Sequence, residues 1–239
     1  MHKNDIYCTY TYIFFSIYCI FIPLRSIYRH FRKQKNSSFL YLITEYCILL
    51  ILFFNVLQEN SISLAQIKLF PLNTPKDISL FFICILSLIG VEYFFLLLIR
   101  NTAFSITKLS NRREVIYAKG IVFSKSRVIN KLLIIIFCVF SSTWEETFFR
   151  GFLFYVFTQF KMNTVQVVFL SSCIFALYHF ANGKWQMVYS FFFGILFSIF
   201  FIISGSLLVA IACHIAGNIF VLLVAIPILL RRSKEIIFF

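Results

Sequence analysis

Residues 143–151 read TWEETFFRG and set Glu145, Glu146 and Arg150 inside a run that is otherwise hydrocarbon. Later apolar runs carry His179, in FALYHF, and His214 with Asn218, in HIAGN. On a helix, residues four apart lie one turn along the same face, so Glu146 meets Arg150 and His214 shares a face with Asn218. Glu145 is rotated by about 100° from Glu146 and is available to another partner. A carboxylate, two histidines and an amide form a hydrolytic constellation. Glu145 takes a proton from water, His179 orients that water or shares its proton, and His214 with Asn218 donates hydrogen bonds to the oxyanion at a scissile carbonyl. Equally, Glu145, His179 and His214 match a zinc ligand set of two histidines and one carboxylate, with water in the open position. There is no HExxH, and the residues alone leave both chemistries open.

Against these stands a purely structural role. An ionised carboxylate in hydrocarbon costs at least about 2.5–3.5 kcal/mol, so it faces a polar space or a partner. A lone Glu or His in a membrane helix often serves only as an interhelical hydrogen-bond donor or acceptor. Glu146 with Arg150 reads as a self-neutralising brace. Glu45 and Glu92 stand near the basic ends of their runs, where snorkelling toward Lys or Arg is expected.

The elements that must position these groups are membrane spans. Of 239 residues 61% are hydrophobic and only 13% charged, with 34 Phe and 12 Tyr, and the mean hydropathy is +0.90. Polar residues gather in short segments instead of along amphipathic faces, so most of the surface meets lipid. Spans need about 20 apolar residues, which gives about seven runs: 6–24, 39–57, 78–99, 131–157, 164–181, 185–203 and 206–230. The fourth exceeds one crossing and is expected to kink or tilt. The expected fold is an all-α polytopic bundle with the candidate catalytic residues on spans four, five and seven. The first span has no small-residue cleavage site and reads as retained.

Basic residues set the orientation. Arg25, Arg29, Arg32, Lys33 and Lys35 follow the first span. Arg100, Lys108, Arg112, Arg113, Lys119, Lys125 and Arg127 follow the third, and Arg231, Arg232 and Lys234 form the tail. The alternate loops hold Lys3, Lys68, Lys76 and Lys161. The N-terminus is then outside and the C-terminus inside. The net charge of +13 faces anionic lipid, and nucleic acid is not an expected partner because no basic domain stands apart from the spans. The stretch 100–130 reads as a basic tether or interfacial helix, and 58–77, with Pro71 and Pro75, as an ordinary loop. The seven cysteines show no CxxC spacing and read as packing residues, neither disulfides nor zinc ligands.

The order EETFFR, FALYH, HIAGN resembles the EExxxR, FxxxH and HxxxN motifs of the CPBP family, the CAAX-protease and bacteriocin-processing membrane proteins also labelled Abi. The matching residues are Glu145, Glu146 and Arg150, then Phe175 and His179, then His214 and Asn218. The resemblance covers a catalytic helical core over 131–230, while hydropathy and charge alone place N-terminal spans with a basic cytoplasmic loop over 1–130 and a basic tail over 231–239. It implies an intramembrane endopeptidase in which Glu145 and His179 activate water while His214 and Asn218 stabilise the oxyanion, with Glu146, Arg150 and Phe175 in support. No cofactor is favoured, in keeping with the missing HExxH, and zinc on Glu145, His179 and His214 is the alternative. Eukaryotic CAAX members open toward the cytosol, whereas the loop charges here put Glu145 near an outer end. A membrane-bound or exported peptide in a bacterial plasma membrane is the expected substrate, and membrane lipid the expected surroundings. Two rival classes are a non-catalytic scaffold or bacteriocin self-immunity protein, and a small transporter. For the transporter there is neither a helix repeat nor a matched pair of broken helices.

Overall fold

The computed structural model describes residues 39–59, 62–69, 75–101 and 127–228. The run expected over 6–24, most of the basic stretch 100–130 and the tail lie outside them, as does the side chain of Glu45. Among the described residues every regular element is helical: α1 (Phe39–Glu59), α2 (Pro75–Asn101), α3 (Arg127–Glu146), α4 (Leu153–Gln159), α5 (Thr164–Tyr178), α6 (Lys184–Ser204) and α7 (Leu207–Phe220). A π-helical turn, Thr147–Phe152, joins α3 to α4, a 3₁₀ turn, Phe180–Asn182, follows α5, and a second π-helical segment, Val221–Ala225, extends α7.

Four stretches among these residues are long and apolar enough to cross a membrane: Asp77–Leu97, Lys131–Gln159, Gln186–Ser204 and Leu207–Ile228. The chain is an integral membrane protein. α5 is apolar but has 15 residues. At 1.5 Å per residue that is about 22 Å, short of a hydrocarbon core of about 30 Å. Along α2 the exposed side chains include Ile78, Phe82, Ile83, Leu86 and Phe94, the surface of a helix that meets lipid.

Two compact units make up the chain, Met1–Leu72 with Trp144–Ala210 and Asn73–Thr143 with Ile211–Phe239. In the first, Phe53 of α1 sets its ring edge against Trp144 at 6.0 Å and Phe152 at 5.7 Å, while Trp144 stacks on Phe148. With lipid as solvent, such contacts hold helices together by close packing and ring quadrupoles more than by escape from water. Within the loop expected over 58–77, the turn 62–69 is tied down. Ser63 and Gln66 close a reciprocal pair of side-chain to backbone bonds, Leu207 donates its N–H to the Lys68 carbonyl at 2.9 Å, and Ile67 is 1% exposed. A Cβ on Gly151 would lie 3.2 Å from Leu207 and 3.5 Å from Ile67, so the glycine that ends TWEETFFRG is the floor on which this turn rests.

α5 starts in a capping box formed by Asn163 and Gln166 and packs closely on α6. A Cβ on Gly194 would sit 3.2 Å from the Ser172 Cα. The π-helical turn has its own compensation. It widens the backbone ladder so that Leu153 bonds back to the Phe148 carbonyl, and the neighbouring Phe149 carbonyl accepts Ser171 Oγ at 2.9 Å. Ser172 Oγ, equally buried, has no hydrogen-bond partner. The two serines should therefore respond oppositely. Ser171→Ala removes a buried hydrogen bond and should cost about 0.5–1.5 kcal/mol, whereas Ser172→Ala should be neutral or stabilising. Thermal unfolding of the purified variants in detergent checks both.

In the second unit, Gly217 of α7 rests on Leu88 of α2. Leu96 packs with Ala225 and Phe220 further along.

Candidate active site

Glu146 and Arg150 pair within one helical turn as their spacing predicts, Nη1 to Oε1 at 3.0 Å, and both side chains are fully buried. Arg150 is more than half of a brace. Its Nη2 donates to the Gly194 carbonyl at 2.8 Å, reaching α6 at the point where that helix has no side chain. The same carbonyl accepts Ser198 Oγ. The guanidinium lies over the Phe175 ring, 4.6 Å from its centroid, and near Phe149 and Phe197. Nε has no hydrogen-bond acceptor, and the ring faces supply the negative potential around it.

Phe175 carries this order on to His179. Their rings meet edge to face at 4.7 Å, and His179 Nδ1 is 2.9 Å from the Phe175 carbonyl. Because a carbonyl only accepts, Nδ1 carries the hydrogen and donates it. The four-residue spacing of FxxxH thus has a local reason, since the imidazole satisfies one of the last carbonyls of its own helix. Sequence reading placed His179 inside a helix running to 181, and the structure corrects this. α5 stops at Tyr178 and His179 is its C-cap, with φ −90° and ψ 8°. The 3₁₀ turn follows and ends at Gly183, whose φ of 98° suits glycine.

With Nδ1 occupied, Nε2 faces Glu145 Oε2 across 4.0 Å. That is too long for a direct hydrogen bond. A water about 2.8 Å from each atom closes the gap at an apex angle of roughly 90°, close to the angle between its own two O–H bonds. Glu145 is 7% and His179 15% exposed. Two proton-accepting atoms therefore converge from separate helices, α3 and the end of α5, in a largely buried setting.

The HIAGN residues lie in the second unit on α7. His214 is buried. Asn218 Nδ2 donates to Ser142 Oγ of α3 at 3.0 Å, which fixes the amide orientation and leaves a second N–H on the same nitrogen. Glu92 departs from expectation. Instead of snorkelling it is 6% exposed, with Oε1 directed at Gly217. Ser142, Gly194 and Ser171 were not singled out from sequence, because small neutral residues cost little in an apolar helix and show no signal there. Among the described residues no group of three His, Cys, Asp or Glu side chains gathers to hold a metal ion. Cys47, Cys84, Cys138, Cys173 and Cys213 are thiols, with no disulfide among them.

Residues 127–220, from the start of α3 to the end of α7, match the family model described as type II CAAX prenyl endopeptidase Rce1-like. All three motifs fall inside the matched region. No curated protein and no solved structure matches the chain significantly.

Proposed function

We propose, from the match of residues 127–220 to the Rce1-like family model, that the chain is an intramembrane endopeptidase whose water-activating pair is Glu145 and His179. The observation that carries this reading is the 4.0 Å approach of His179 Nε2 to Glu145 Oε2, with Nδ1 committed to the Phe175 carbonyl. A water between the two gives one O–H to each. As its oxygen attacks the scissile carbonyl, Glu145 takes the proton and the C–O bond forms. His214 and Asn218 are assigned the oxyanion by their motif positions, and Asn218 keeps one amide hydrogen for it. Collapse of the tetrahedral intermediate breaks the C–N bond, and the proton held at Glu145 passes to the leaving amine, which restores the carboxylate.

A membrane-associated or exported peptide in a bacterial plasma membrane is the proposed substrate. The test uses purified protein in liposomes with two sets of quenched fluorescent peptides, prenylated CAAX sequences and unprenylated leader-like sequences. Cleavage by the wild type should survive chelation by phenanthroline and should fall about 10²–10⁴-fold in His179→Ala. Equal cleavage by that variant, or loss on chelation with return on added zinc, would overturn the reading.

A further inference from the structure

Glu92 is a buried acid for which the proposed hydrolysis has no use. It lies in the Asp77–Leu97 span, yet the α2 side chains that meet lipid are others, Ile89, Tyr93 and Phe94 among them. Its carboxylate is turned onto α7, where a Cβ added to Gly217 would come 3.5 Å from Oε1 and 3.3 Å from Leu88. Gly217 belongs to the face that also carries His214 and Asn218, three residues from one and next to the other. Those three positions fall within an arc of about 100°. The carboxylate therefore reaches the α7 motif at the one position on that face where no side chain holds it off. His214 is buried on the same arc, and a carboxylate is the acceptor that fixes which ring nitrogen of a histidine carries hydrogen and how the ring is turned.

We propose that Glu92 is a positioning residue for His214. Across the space left by Gly217 it accepts a hydrogen bond from one ring nitrogen and holds the ring in one orientation. The ring is thereby turned to face the substrate oxygen. The inference rests on the oxyanion role given to His214 above, and its test separates the two.

The first arm needs no substrate. In protein carrying ¹⁵N-labelled histidine in nanodiscs, Glu92→Leu should shift the His214 ring resonances and leave those of His179 in place. Glu92→Gln, which keeps an acceptor but not the charge, should give an intermediate shift. His214 resonances that ignore both substitutions would overturn the proposal whatever the chain cleaves. The second arm is kinetic. Glu92→Leu should lower kcat about 10–100-fold, the range seen when carboxylates that orient functional histidines are removed, while KM stays within about twofold. Glu92→Gln should recover part of the loss, and Glu92→Leu combined with His214→Ala should be no worse than His214→Ala alone. Fully additive losses would overturn it. A wild type that cleaves no peptide sinks the peptidase reading, and the resonance arm then still decides Glu92. Leucine is apolar and lies within a span, so unfolding is not the expected outcome, and a melting temperature at or above wild type confirms that the variant is intact.

Discussion

Glu145→Gln should abolish turnover while leaving the protein inserted and folded. Glutamine has nearly the same shape, but its amide cannot take the proton from a water shared with His179. Removing a general base costs about 10²–10⁴-fold, or about 3–5 kcal/mol of transition-state stabilisation. Stability should hold, because a neutral amide is easier than a carboxylate to keep in a setting that is 7% exposed. Glu145→Asp is the sharper companion. It keeps the charge but shortens the reach by one methylene, widening a separation that is already 4.0 Å, so activity should fall between wild type and Glu145→Gln. Single-turnover cleavage measured beside thermal melting separates these cases. A Glu145→Gln protein that cleaves within twofold of wild type would show that Glu145 is not the group that takes the proton from water.

The second large effect is expected at Arg150. Arg150→Leu leaves the fully buried Glu146 without its cation, and breaking one side of a buried pair costs about 3–5 kcal/mol. Glu146→Met should be as damaging for the converse reason. The double variant, Glu146→Met with Arg150→Leu, removes both charges and should recover most of the stability. Activity should not return with it. Phe175 would lose the guanidinium 4.6 Å from its ring, and Phe175 is what holds His179 from both its carbonyl and its ring edge. A thiol-reactive dye reports unfolding directly, since Cys138 and Cys213 are buried. A double variant with wild-type cleavage would show that the brace has no part in placing the histidine.

Short-range spacing was the legible part of this site. The Glu146–Arg150 pair follows from helical period alone, and the separate direction of Glu145 follows from its being one residue away. The approach of Glu145 to His179 was expected from chemistry and appears at 4.0 Å. What hydropathy could not show is which neighbour a residue meets across helices. Glu92 looked like a snorkelling side chain because its nearest basic residues in sequence were visible and Gly217, more than a hundred positions on, was not. The end of α5 was misplaced for a related reason. Apolar composition continues past Tyr178 through Phe180 and Ala181, while the stop depends on His179 binding back to Phe175 and on the backbone at Gly183. Ser142, Ser171 and Gly194 act through carbonyls and hydroxyls that only the packed helices bring near. The number of spans is less closely fixed, with four of crossing length among the described residues.

The brace also bears on how the chain enters the bilayer during synthesis. Both of its members lie in one turn, so the charges neutralise each other as soon as that turn leaves the ribosome. Its other anchor, the Gly194 carbonyl, lies 44 residues further on. At roughly 5–20 residues per second, it arrives about 2–9 s later. Had the cation been carried on α6, the insertion machinery would have had to accept a naked carboxylate for that whole interval. Exchanging the two residues would keep the pair and its early timing, whereas moving either one to α6 should trap the nascent chain at the membrane surface.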